Sequence, residues 1–249
     1  MGSRMPTFAN EPAEALAFFQ EHGYQIEPNV FPAAEREQLI RASENLPAFK
    51  DGTYAITMNP HHLDPVFLRA LRNVRLVTII ERLLGGRVSG IQTQFFLCKP
   101  GTPGFARHQD NFYVEAKREV FASAWSPLVD VSRANGTMVI YPGSHKEGIL
   151  PVETVPGQPA NLDANALRQQ AMVPAKYQPM DVIANAGETV FIHGHLVHSS
   201  YQNGSQDFRR VLLCTYIRTG EKFRPGFNAR RTEVDVYSQD PLPLAETRL

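Results

Sequence analysis

The sequence predicts a mainly β fold with supporting α-helices: a single domain in which a helical N-terminal layer packs on a jelly roll. Three observations predict it. Apolar residues recur at helical spacing through the first third of the chain. After Gly86 the texture changes to short runs of β-forming residues separated by turn dipeptides. No internal repeat, low-complexity tract or flexible linker divides the 249 residues. At 43% hydrophobic and 20% charged, the chain can bury a real core. The expected division is a helical part at about 8–86, a jelly-roll core at about 87–220 and a C-terminal extension at 221–249.

The elements follow in order. Glu11 to Gln20 carries Ala13, Leu16, Ala17 and Phe18 at helical spacing, and His22-Gly23 ends it. Pro32 stands at the start of a second helix, whose apolar stripe is Ala33, Leu39, Ile40 and Ala42. Asp64 and Pro65 are the N-cap and first residue of a third, through Phe67, Leu68 and Leu71. Val77 to Leu84 is a fourth, closed by Gly85-Gly86. Strands are expected over Val88–Leu97, Val120–Val131 (bent or at an edge because of Pro127), Met138–Tyr141, Ile183–Ala184, Thr189–His193 and Arg210–Ile217. Asn135-Gly136, Ala186-Gly187 and Asn203-Gly204 supply turns between them. Pro151 to Met180 is a long insertion, with a helical turn or two over Asp163–Ala171, and could act as a lid.

Composition excludes several function classes. Twenty-five basic residues balance 25 acidic ones, which removes the global bias of a nucleic-acid or anionic-membrane binder. Cys98 and Cys214 are too few for a disulfide scaffold or a cysteine-only zinc site, and read as buried thiols. No apolar run approaches the roughly 18 residues of a membrane span. No basic start leads into an apolar segment. A cytoplasmic protein, monomeric or weakly self-associating, is expected.

Chemistry is sought among the eight histidines, because imidazole is the commonest transition-metal ligand. His108-Gln109-Asp110 places an imidazole and a carboxylate at i and i+2, on one face if the segment is a strand. Two histidines and one carboxylate make the facial triad of non-haem iron(II), with positions open for substrate and oxygen. His193, His195 and His198 are all candidates for the third ligand. His22, His61 and His62 lack a partner pattern and read as surface or loop residues.

Four ordered blocks carry a family resemblance. They are Phe18 to Leu39 with Gly23-Tyr24 and Phe31-Pro32; Lys99-Pro100-Gly101 leading to His108-Gln109-Asp110; Ala124-Trp125 followed by Asn135-Gly136-Thr137 and Tyr141-Pro142-Gly143-Ser144-His145; and Gly187 to Gly194 followed by His198-Ser199-Ser200 and Arg209. With these the chain resembles the phytanoyl-CoA dioxygenase family of Fe(II)/2-oxoglutarate oxygenases. The resemblance implies a double-stranded β-helix of cupin-like type, with iron(II) as cofactor and 2-oxoglutarate and molecular oxygen as co-substrates. It picks His198 as the third ligand beside His108 and Asp110, leaving His193, His195 and His145 in structural roles. It places an arginine eleven residues after the distal histidine, which is Arg209, to hold the far carboxylate of 2-oxoglutarate; Arg210 then faces the other way. Ser200 resembles the hydroxyl that shares this carboxylate, and Trp125 a tryptophan lining the same pocket.

Phe95 and Gln94 are further candidates for that pocket, since alternation along Gln92–Leu97 leaves open whether Thr93 and Phe95 or Gln92 and Gln94 turn inward. Tyr54, Met58, Asn111 and Tyr113 are candidates to border the substrate. The basic run of Lys222, Arg224, Arg230 and Arg231 holds an anionic substrate or is solvated. Retention of Asp110, where related halogenases have a small residue, implies hydroxylation or another oxidation of a small molecule, with release of succinate and carbon dioxide. Two other classes fit the ligands: a jelly-roll metal-dependent isomerase and a non-catalytic binding module. An isomerase has no evident use for Arg209, and a dead homologue would be free to lose a ligand.

Overall fold

The computed structural model describes residues 5–155 and 169–242. Helix α1 (Pro12–His22) ends at Gly23, whose φ of 80° lets its N–H reach back to Phe19. Strand β1 (Tyr24–Glu27) follows at once, then α2 (Ala33–Ser43) and the short α3 (Pro47–Lys50). Strand β2 (Thr57–Met58) precedes α4 (Pro65–Leu71), where Asp64 accepts the Val66 N–H at 2.8 Å as the N-cap. Helix α5 (Val74–Leu84) begins three residues before the expected start, because the Asn73 side chain caps the N–H groups of Arg75 and Leu76.

The sheets come from β3 (Val88–Cys98), β4 (Phe121–Pro127), β5 (Met138–Ile140), β6 (Val152–Thr154), β7 (Gln169–Ala171), β8 (Met180–Asp181), β9 (Thr189–His193), β10 (His198–Ser200) and β11 (Arg209–Arg218). The short helix α6 (Asn111–Val114) stands between β3 and β4. A six-stranded antiparallel sheet runs β1-β9-β4-β11-β3-β2, and a three-stranded one runs β10-β5-β8. This is the predicted jelly roll.

Alternation along the strands divides the large sheet into two faces. Phe95, Ala124, Phe191, Leu212, Cys214 and Tyr216 face outward into one apolar cluster with Leu71, Leu76 and Ile80 of the helices. Trp125, Val190, Ile192, Val211 and Leu213 face inward and pack with Met138 and Ile140 of the small sheet. The C-terminal extension is bound in as well: Val234 bridges Gly90, and the Tyr237 hydroxyl donates to Glu81 of α5.

Several expected elements differ. The strand expected over Val120–Val131 is only β4. It stops at Pro127, which cannot donate to the next ladder position, and Val131 keeps an isolated bridge with Ala184. Ile183–Ala184 is not a strand; β8 lies before it, and Ile183 is 64% exposed. Of the helical turn expected over Asp163–Ala171, the residues 163–168 lie outside those described, and Gln169–Ala171 is strand β7, paired with β6. On β3, Ile91 is an extra residue where the pairing with β11 shifts between Thr215 and Tyr216. Strands β1, β2, β8 and β10 had no sequence counterpart, being two to four residues long.

Phe95 is 1% exposed and stacks edge-on with Phe67 at 5.5 Å, while Gln94 on the next position faces the interior. Phe95→Ala is therefore expected to cost about 3–5 kcal/mol of stability and Gln94→Ala less than about 1 kcal/mol in urea unfolding.

Candidate metal centre and its cavity

Three ligand-type side chains meet between the sheets. His108 forms a two-way antiparallel bridge with His198, the backbone N···O distances being 2.8 and 2.9 Å. The two rings therefore lie side by side, 4.2 Å between centroids. Asp110 Oδ1 is 3.8 Å from His108 Nε2 and 3.6 Å from His198 Nε2. Among the described residues this is the one group of three ligand atoms within 4.8 Å of one another. The expectation that His108 and Asp110 share a strand face is corrected. Only His108 is in a bridge, and the chain turns at Asp110 (φ −56°, ψ −38°) into α6. That turn, rather than strand alternation, brings the carboxylate to the imidazoles.

The hydrogen bonds around the three groups suit a metal ion. His108 Nδ1 donates to the Ala106 carbonyl at 2.8 Å and His198 Nδ1 to the Leu196 carbonyl at 3.0 Å. Both Nε2 lone pairs are thereby left facing Asp110. Burial, and next the neighbouring His198, push His108 well below the usual imidazole range, which keeps it neutral. Ser123 of β4 donates to Asp110 Oδ2 at 3.0 Å, which leaves Oδ1 pointing inward. An ion held by two neutral imidazoles and one carboxylate fits this set.

The other histidines of the cluster are engaged elsewhere. His193 Nδ1 accepts the His195 N–H at 3.0 Å, and its Nε2 meets Glu119 at 3.3 Å. His145 Nε2 donates to the Gln20 carbonyl. His61, read from sequence as a surface residue, is 1% exposed and meets the Thr93 hydroxyl at 2.6 Å on the outer face of β3.

The three groups open on a cavity of about 780 Å³. Arg209 stands in its wall, 4% exposed, with Nη1 donating to the Gly136 carbonyl and Nη2 to Cys98 Sγ at 3.0 Å. Its Nε has no partner, and no carboxylate pairs with it among the described residues. A buried guanidinium in this state calls for an anion. Arg210 points outward to Glu44 at 3.3 Å. Ser200 lines the cavity and its Oγ accepts the Phe105 N–H at 2.9 Å, so its own proton stays available. Trp125, 8% exposed, contributes to the wall as well as to the core.

Of the candidate substrate-facing residues, Tyr54, Met58 and Tyr113 line the cavity, as does Gln94. Two candidates do not. Phe95 belongs to the helical core. Asn111 is 3% exposed and faces away, its amide bonding His195 Nε2 at 2.6 Å and the Ala116 backbone, because the α6 turn reverses direction immediately after Asp110. Sequence reasoning left Gln92 as one of two alternatives, missed Phe105 and Thr215 and left Arg231 unassigned; all four line the cavity. Gln92 and Gln94 share the inward face, which decides the alternation left open along β3, and the β-bulge at Ile91 sends that residue to a cluster with Val114 and Phe121.

The comparisons with known proteins give the family and agree with the fold. The family model described as phytanoyl-CoA dioxygenase (PhyH) matches residues 16–211. A "Probable phytanoyl-CoA dioxygenase" of Caenorhabditis elegans is 26% identical over 269 aligned positions, which cover 95% of this chain and 84% of that protein. The L-proline trans-4-hydroxylase of Streptomyces griseoviridis is 29% identical over 204 positions, 72% of this chain and 75% of that one. Three further relatives match over only 52–55% of their own length. Among solved structures, the epimerase SnoN in complex with Fe3+, alpha ketoglutarate and nogalamycin RO superposes with a TM-score of 0.71 at 21% identity, covering 93% of this chain and 94% of that one.

Anaerobic equilibrium dialysis with iron(II) tests the centre. Asp110→Ala is expected to abolish stoichiometric binding and Ser123→Ala to weaken it about 10- to 100-fold. Unchanged affinity in both would place the metal elsewhere.

Proposed function

The chain belongs to the phytanoyl-CoA dioxygenase family, and on that premise we propose that it is an iron(II)/2-oxoglutarate-dependent oxygenase that hydroxylates a C–H bond of a small molecule. One observation carries the reading: the His108, Asp110 and His198 ligand atoms and the buried, anion-seeking Arg209 face one cavity. A metal-dependent isomerase or a binding module accounts for the three ligands but not for that arginine.

His108, Asp110 and His198 would hold the ion. When bound, iron(II) supplies the oxidising chemistry by which oxygen and 2-oxoglutarate yield succinate, carbon dioxide and a hydroxylated substrate. Held by these three side chains, the ion would stay accessible to 2-oxoglutarate from the cavity. Arg209 takes the distal carboxylate through its guanidinium edge, with the Ser200 hydroxyl as a second donor. Trp125 and Phe105 cover this part of the cavity with apolar surface and limit water around the reacting groups. Ser123 holds Asp110 in place. Tyr113, Met58 and Gln94 border the space left for substrate.

The likeness to a proline hydroxylase supports hydroxylation, as does the carboxylate at Asp110, which fills the ligand position a halide would need. The likeness to an epimerase concerns the fold.

Mixing the protein with iron(II) and 2-oxoglutarate without oxygen is expected to give a visible metal-to-ligand charge-transfer band. Arg209→Ala should remove the band at the same 2-oxoglutarate concentration while iron stays bound, and Arg210→Ala should leave it intact. Iron bound without a band in the unaltered protein would sink the proposal. In succinate-release assays His198→Ala should be inactive, whereas His195→Ala should retain turnover; the reverse result would move the ligand.

A further inference from the structure

The cavity holds a second buried guanidinium. Of the four basic residues in the C-terminal run, Lys222, Arg224 and Arg230 are exposed, and Arg224 is paired with Glu115 at 2.6 Å. Arg231 is 9% exposed and lines the cavity. Its Nε donates to Gln92 Oε1 at 2.7 Å, and its Nη1 donates to the carbonyls of Tyr113 and Arg224, both at 3.2 Å. Nη2 makes no hydrogen bond, and no carboxylate pairs with the group, among the described residues. Burial weakens its hold on the proton, and the negative field of Asp110 is the main opposing influence, so the group sits within electrostatic reach of the metal ligands.

Gln92 supplies the second, independent observation. It is 3% exposed and lines the same cavity, yet its Nε2 has no partner. The bond from Arg231 to Oε1 fixes which way the amide points, so Nε2 is a buried donor without an acceptor. Two unused donors, one of them charged, therefore stand on adjoining groups.

Their place in the fold separates them from Arg209. Arg209 pairs in register with Cys98, at the far end of β3 from Gln92. Six residue steps along the strand separate the two, about 20 Å at about 3.3 Å each. Gln92 instead pairs with Thr215, which pairs with Ser123, the residue holding Asp110. Two interstrand steps are about 10 Å.

We propose that Gln92 Nε2 and Arg231 Nη2 form the substrate anchor, taking a carboxylate on a small organic acid and holding its reactive carbon toward the metal centre. The inference rests on the oxygenase reading and extends it to substrate class. A guanidinium and an amide present parallel N–H donors to the two oxygens of one carboxylate. The separation of about 10 Å suits a small acid better than a long thioester, whose acyl carbonyl carries no charge.

Hexanoate and hexanamide test it, since they bury the same chain and differ in charge. Each is titrated by calorimetry into protein saturated anaerobically with iron(II) and 2-oxoglutarate, so that Arg209 is already occupied. Hexanoate should bind at least about tenfold more tightly. Gln92→Glu keeps the acceptor for Arg231 but removes the donor, and should erase the preference without lowering the thermal midpoint. Arg231→Gln should erase it too, and Gln92→Glu stands alone if that variant fails to fold. No hexanoate binding or no preference in the unaltered protein, or a preference surviving in folded Gln92→Glu, overturns the anchor. The charge-transfer band separates the two readings. If it forms and the preference is absent, the anchor alone fails; if it does not form, but metal-free protein still prefers hexanoate in a Gln92-dependent way, only the oxygenase reading fails.

Discussion

The structure depends on one backbone pairing, the two-way bridge between His108 and His198. It joins a segment leaving β3 to the start of β10, and it makes two residues ninety positions apart into neighbours whose rings cannot separate. Each ring is then oriented by the carbonyl two residues before it, Ala106 for one and Leu196 for the other. Burying two imidazoles is costly unless their donors are satisfied, and this arrangement satisfies one nitrogen of each while presenting the other. The close approach of the strands extends beyond the bridge: any side chain at Gly104 would collide with the Ser200 carbonyl. The jelly roll exists, in functional terms, to hold this bridge above β4, where Ser123 waits for Asp110.

Much of this was legible in the sequence, and for physical reasons. Helix ends carry chemical marks, so Asp64-Pro65, Gly23 and Gly85 placed three helices within a few residues. Long apolar strands such as β3 and β11 also stand out. Apart from β5, whose end is marked by Pro142-Gly143, strands of two to four residues do not, because their pairing is decided by distant partners; β1 exists because β9 offers it an edge. Of the site, the residues His108, Asp110, His198 and Arg209 were read through spacing and family resemblance. Phe95 failed because alternation along β3 fixes which residues share a face but not which face turns inward, and Asn111 because the α6 turn resets side-chain direction.

The formal charge of zero conceals how charge is used. Ion pairs such as Arg41 with Glu37 are solvated and contribute little to stability. Arg209 and Arg231 are different. Both are buried in one cavity wall without an acidic partner among the described residues, Arg209 beside Cys98 at the end of β3 and Arg231 on Gln92 near its middle. Hydrogen bonds to carbonyls and, for Arg231, to Gln92 offset part of their desolvation, and the remainder favours anionic ligands. The cavity is thus prepared for two anions around a centre with a single carboxylate, and the fold supplies each site from a different segment.

X-ray absorption at the iron edge, on anaerobic protein loaded with one equivalent of iron(II), tests the central claim most directly. The account predicts scattering from two imidazoles per iron, falling to one in His108→Ala under conditions where that variant still binds metal. Two imidazoles retained in both His108→Ala and His198→Ala would show that the ion sits on other histidines and would contradict the account.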